Sequence, residues 1–119
     1  MSSKSPLFTV VAVCCNVADY VEEMILSIKN QTFADFECLA VVEDSSDKTE
    51  EIVRSAVAGD KRFSVITLPR SGSASVPRNY GIKHGKGKYL VFVDGDDWIE
   101  LNALEKFAAI INKTPDLDI

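Results

Sequence analysis

Cations are the scarcer charges in this 119-residue chain: 13 lysines and arginines stand against 18 aspartates and glutamates, a net charge of −5. Wholesale binding to nucleic acid or to an anionic membrane needs clustered Lys and Arg, and the deficit argues against both. A polyanionic ligand would have to be met locally, by a bound cation or a few basic side chains. Cysteine is sparse too, with Cys14, Cys15 and Cys38 lying inside apolar runs and in no metal-ligand spacing. Buried thiol is the default at such positions, and an odd count fits a reducing compartment better than a disulfide scaffold. No apolar run approaches membrane-spanning length. Leu7–Cys15 lacks the basic flank and cleavage site of a signal peptide and reads as a first strand. The sequon Asn30-Gln31-Thr32 would go unused in a reducing compartment. His84, the one histidine, sits in a glycine-rich connection with no partner in view, and reads as exposed and inert.

What is there is enough for one domain, residues 1–119, with hydrophobic and charged shares of 46% and 26% that are ordinary for a globular chain. Phe8–Cys15 is β-rich and apolar, a buried strand. Asn16 and Asp19 mark a turn and a helix start, and Val21, Met24, Ile25 and Ile28 form one helical face closing near Asn30. Phe36–Val42 is a second strand, ending in Glu43-Asp44-Ser45-Ser46-Asp47. Asp47 and Glu50 have the spacing of a capping box, opening a helix that buries Ile52, Val53, Ala56 and Val57. Phe63–Leu68 is a third strand, followed by a Ser/Gly loop with Arg70, and Pro77 fits the first turn of a short helix. Gly81, Gly85 and Gly87 are expected to break up the segment before the strand Lys88–Val93. Asn102 and Glu105 cap a last helix with Leu104, Phe107, Ala108 and Ile111 inward; Pro115 stops it, and Leu117-Asp118-Ile119 resembles the start of another strand, as if the chain were cut there. Strands alternating with helices give an α/β fold: Rossmann-like βαβ units on a mainly parallel sheet with helices on both faces.

The chain is organised around Val91–Trp98. An apolar run, Leu90–Val93, reads as a strand buried on both faces, and Asp94, Asp96 and Asp97 crowd its carboxyl end with only Gly95 between them. Such carboxylates repel one another unless something positive sits among them, and hard divalent cations are held by oxygen clusters of this kind. Gly95 allows a tight turn and a close backbone approach. A second acidic cluster, Glu43-Asp44 with Asp47, follows another strand, and in a parallel sheet both would open on one edge, where ligands of open α/β sheets bind. Arg70, Arg78 and Asn79 lie between the two clusters in sequence. The picture is of a nucleoside diphosphate, with a carboxylate on ribose or base, a cation bound by Asp96 on the diphosphate, and an arginine assisting. Trp98 is expected to pack under the acidic loop, with sugar stacking as its alternative.

The succession of an apolar strand, Asn16, a helix ending Asn30-Gln31-Thr32-Phe33, then Val42-Glu43-Asp44, Arg78-Asn79 and Asp94-Gly95-Asp96-Asp97 resembles the family 2 glycosyltransferases with the GT-A fold. The resemblance covers residues 6–119 and implies the N-terminal, nucleotide-sugar-binding portion of that fold. By position it implies Asp44 as the uracil- or ribose-binding carboxylate, Asp94-Gly95-Asp96 as the D-x-D motif with Asp96 foremost among the metal ligands, Arg78 near the nucleotide, and Asn16 where the first strand's loop approaches the base. Glu43 stands beside Asp44 in the same donor-binding set. The family's acidic segment is here one residue shorter and lacks its glycine, and Pro77 replaces the commoner alanine. The resemblance further implies sugar transfer from a nucleoside diphosphate sugar, UDP-sugar first, to an acceptor hydroxyl, inverting and dependent on Mg²⁺ or Mn²⁺. A glycan or lipid-linked acceptor, polysaccharide synthesis and a cytoplasmic location with membrane association come with it. The family's general base lies beyond Ile119, so this chain alone is expected to bind donor without turnover, and an unpaired sheet edge is expected to favour homodimers. A nucleotide-binding module without transfer activity is the alternative. A sugar-phosphate nucleotidyltransferase would carry a Gly-rich basic loop where Cys14–Ala18 stands, and a receiver domain would place its acids after other strands.

Overall fold

Among the described residues four β-branched and aromatic runs form four strands, and the amphipathic segments between them form helices. The computed structural model describes residues 5–43, 47–73, 75–94 and 97–113. In chain order the elements are β1 (Phe8–Cys14), α1 (Val21–Lys29), β2 (Phe36–Glu43), α2 (Thr49–Val57), β3 (Phe63–Leu68), α3 (Ser75–His84), β4 (Tyr89–Asp94) and α4 (Ala103–Lys113). The strands run parallel in the order β3-β2-β1-β4. Leu117-Asp118-Ile119, expected to begin a strand, and Pro115 lie outside the described residues.

Alternation along β1 divides the core. Phe8, Val10, Ala12 and Cys14 join Val21, Met24, Ile25 and Ile28 of α1, Val53 and Val57 of α2 and Leu104, Ala108 and Ile111 of α4 in one cluster. Val11 points the other way and meets Leu39, Val41 and Tyr80 of α3 in a smaller one. Each fully buried aliphatic side chain contributes about 1.5–3 kcal/mol, so the larger cluster dominates stability. The inward faces expected for α1 and α4 are buried there, with Phe107, Ile52 and Ala56 partly so.

Several local expectations are corrected. The run Leu90–Val93 is not buried on both faces: Phe92 is 41% exposed, and in β4 only Tyr89 and Val93 are buried. Among the described residues β4 pairs on one side only, with β1, and α3 packs on β1 and β2, which leaves this part of the sheet face uncovered. Gly81 does not break the segment before β4; it lies inside α3, where a Cβ would collide with the Val11 side chain. Glycine there is the condition for close helix–sheet packing. Gly87 is similarly forced, pressed on the Phe8–Thr9 backbone. The capping box does not form: Lys48 is the N-cap of α2 without a side-chain cap bond, and Glu50 pairs with Arg54 at 2.9 Å. Trp98 does not pack under the acidic loop and is 60% exposed.

Candidate functional site

Parallel strands in register bring their carboxyl ends together. Val13 stands beside Asp94, Cys14 beside Val42 and Glu43 beside Leu68. At ~4.8 Å per strand and ~3.3 Å per residue, Glu43, two residues further along than Asp94 by register, lies about 12 Å from it across the end of β1. Asn16 lies between them in the loop that leaves β1, exposed and with φ of 52°, a left-handed conformation that asparagine tolerates better than most residues.

That loop is pinned from α2. The Val17 amide donates to Thr49 Oγ1 at 3.0 Å, and the Ala18 amide donates to Asp47 Oδ2 at 3.1 Å. The Thr49 hydroxyl and amide both donate to Asp47 Oδ1, and Thr49 is fully buried. The hydroxyl bond is the main reason the Asp47 carboxyl is held below its ordinary range, helped by the Thr49 and Ala18 amides. Asp47 thus shapes the loop beside Asn16 instead of capping α2.

Glu43 is only 5% exposed. Its carboxylate accepts hydrogen bonds from the Ser71 amide at 3.1 Å and from the Ser71 hydroxyl, which anchors the loop after β3 on the end of β2. Gly72, with φ of 72°, lets that loop turn back. Arg70 reaches across to within 3.9 Å of Cys15 Sγ, beside Asn16. On the opposite side Arg78, in the first half of α3, lies 3.4 Å from Asp94 Oδ1, with both side chains about half exposed at 45% and 48%. The Asp97 amide donates to the Asp94 carbonyl at 2.9 Å.

The structure therefore brings Asn16, Glu43, Arg78 and Asp94 to one edge. Asp44, Gly95 and Asp96 lie outside the described residues, and among the described residues no three His, Cys, Asp or Glu side chains converge as a metal cage. The half-exposed Asp94 carboxylate and the guanidiniums of Arg70 and Arg78 are what this edge offers a ligand, with buried Glu43 beneath holding the Ser71 loop.

The family model described as Glycosyl transferase family 2 matches residues 9–119. The chain belongs to this family. It is 32% identical over 101 residues to an uncharacterised glycosyltransferase of Haemophilus influenzae, covering 85% of this chain and 40% of that protein. The putative teichuronic acid biosynthesis glycosyltransferase TuaG of Bacillus subtilis is 31% identical over 89% of this chain and 42% of its own length. Among solved structures, S. aureus TarS in complex with UDP superposes with a TM-score of 0.83 at 32% identity, over 89% of this chain and 32% of that one. The same protein is also solved with UDP-GlcNAc. The chain thus spans well under half of these relatives, and its fold is the N-terminal part of the family 2 GT-A fold.

Sequence reasoning passed over Ser71 and Thr49. The Asp47-Lys48-Thr49 spacing carries a local signal, since aspartate often bonds the backbone two residues on. Ser71 carries none beyond the composition of its loop, because its partner arrives from another strand.

Proposed function

We propose that this family 2 chain is the donor-binding part of a glycosyltransferase that moves a sugar from a nucleoside diphosphate sugar, UDP-sugar first, to an acceptor hydroxyl with inversion. The meeting of Asn16, Glu43, Arg78 and Asp94 at one sheet edge carries the reading. Relatedness to TarS, solved with UDP and UDP-GlcNAc, supports the nucleotide, and relatedness to TuaG supports work on cell-surface polysaccharide.

In this reading Asn16, Glu43 and Asp44 face base and ribose, and the Glu43–Ser71 contact fixes the floor beneath them. Arg78 exchanges its long contact with Asp94 for the diphosphate, while Gly95 lets the backbone come close. Asp94 and Asp96 would hold Mg²⁺ or Mn²⁺: carboxylate oxygens on a half-exposed edge fit a hard divalent cation. When bound, that ion supplies positive charge against the negative charge that grows on the leaving diphosphate. The acceptor oxygen bonds to the anomeric carbon as the bond to the diphosphate breaks, and a base takes the acceptor proton. No residue of this chain is assigned as that base, and the acceptor is a glycan or a lipid-linked glycan. A cytoplasmic site of action and self-association through the β4 edge, unpaired among the described residues, belong to the same proposal.

Calorimetric titration of UDP and other nucleoside diphosphates, with and without Mn²⁺, tests it on the 119-residue chain and on Asp94→Ala. The expected result is metal-dependent binding that weakens by about tenfold or more in the variant. A folded chain that takes up no nucleoside diphosphate under either condition would overturn it.

A further inference from the structure

The segment from Asp97 to Asn102 has no strand or helix partner of its own, so its backbone groups must be satisfied from elsewhere. The end of α1 supplies them. Gln31, only 7% exposed, donates from Nε2 to the Glu100 carbonyl at 2.6 Å and to the Ser27 carbonyl at 2.9 Å, and its Oε1 accepts the Leu104 amide at 3.0 Å. The Thr32 amide donates to the Leu101 carbonyl at 2.8 Å. One turn earlier, Ser27 Oγ accepts the Ile99 amide at 3.2 Å while donating to the Met24 carbonyl. Four polar groups in and just beyond α1 thus hold a stretch that begins three residues after Asp94.

We propose that Gln31, seconded by Ser27, is a positioning residue for the acidic loop. Gln31 grips Glu100 and Leu104, Ser27 grips Ile99, and together they fix how far the segment descends along α1. That in turn sets where the Asp97 amide meets the Asp94 carbonyl. Gln31 touches no ligand; it acts through the backbone that carries Asp94 and Asp97. An amide suits the task because one side chain both donates twice and accepts, and neither a carboxylate nor a thioether offers that combination. The consequence for nucleotide rests on the donor-site reading above, whereas the consequence for the loop does not.

Two readouts separate them. Hydrogen exchange on the free chain compares wild type with Gln31→Met, similar in length without the polar groups, and with Gln31→Glu, which keeps only the acceptor. The expected result is faster exchange at Leu104, Ile99 and Asp97 with the strand amides unchanged, larger in Gln31→Met than in Gln31→Glu. Change confined to Leu104 would reduce Gln31 to a cap for α4 and overturn the proposal, and so would uniform acceleration across the sheet. Should Gln31→Met fail to fold, Ser27→Ala, which removes the contact to Ile99 and the hydroxyl's bond to the Met24 carbonyl while leaving Gln31 in place, carries the same comparison. Calorimetry is the second readout. Mn²⁺-dependent UDP affinity is expected to fall by about tenfold in Gln31→Met, the scale of lost supporting contacts at metal sites, with metal-free UDP binding within about twofold. Equal loss in both would overturn the positioning role. Wild type that binds no UDP would remove the donor-site reading and leave the exchange comparison to decide the loop.

Discussion

Arg62 shows how much one side chain does away from the site. Its guanidinium donates to both Asp60 carboxylate oxygens and to the Lys29 carbonyl at 3.1 Å, and it lies 4.4 Å over the Phe36 ring. The Arg62 hydrogen bond is the main cause holding the Asp60 carboxyl below its usual range. A carboxyl depressed on folding adds stability that is fully present above its unfolded pKa, about 4, and disappears as pH falls through the folded value. Asp60→Asn should therefore cost about 1 kcal/mol near neutrality. In acid, with the Asp60 carboxyl of the wild type protonated, the two proteins should converge. Urea denaturation at the two pH values checks this, and a gap of the same size at both would show that charge is not its source. Asp47 titrates in the same direction through its Thr49 bonds.

At the scale of elements, α3 depends on the absence of a methyl group. Gly81→Ala would drive a Cβ into both Val11 γ-methyls, and overpacking of this kind costs about 1–3 kcal/mol. Adding Val11→Ala should recover part of that loss, measurable by thermal unfolding; strictly additive losses would mean the two residues are not in contact. This contact also marks where the sequence stopped being legible. The Val21, Met24, Ile25, Ile28 face could be read because helical periodicity is written locally, and Phe63–Leu68 could be read because a β-rich run bounded by polar residues needs no further context. Whether Gly81 ends a helix or seats one depends on Val11, far away in the chain. The site divides in the same way. Asp94 and Arg78 were legible from type and position, and they meet. Ser71 against Glu43 and Gln31 against Glu100 and Leu104 were not, because these contacts exist only once distant segments touch.

Across the whole molecule the thiols report on packing. Burial pushes the Cys14 thiol up to about 12, and Cys38, fully buried, is raised as well. Cys15, one residue past β1, is partly accessible. An aromatic disulfide reagent should titrate one thiol in the native chain and three after unfolding. Rapid reaction of all three in buffer would mean that the sheet opens far more readily than its packing implies.

The order β3-β2-β1-β4 has a temporal side. Pairing β1 with β2 closes a modest loop, whereas pairing Phe8 with Tyr89 joins residues near opposite ends of the described chain. Contacts of such long span are slow to form, since the entropy of closing the intervening chain must be overcome first. The half of the edge that holds Asn16 and Glu43 can therefore exist before the half that holds Asp94. On this count β4 is expected to dock last, and a nucleotide bridging the two halves, as proposed above, would act as the clasp.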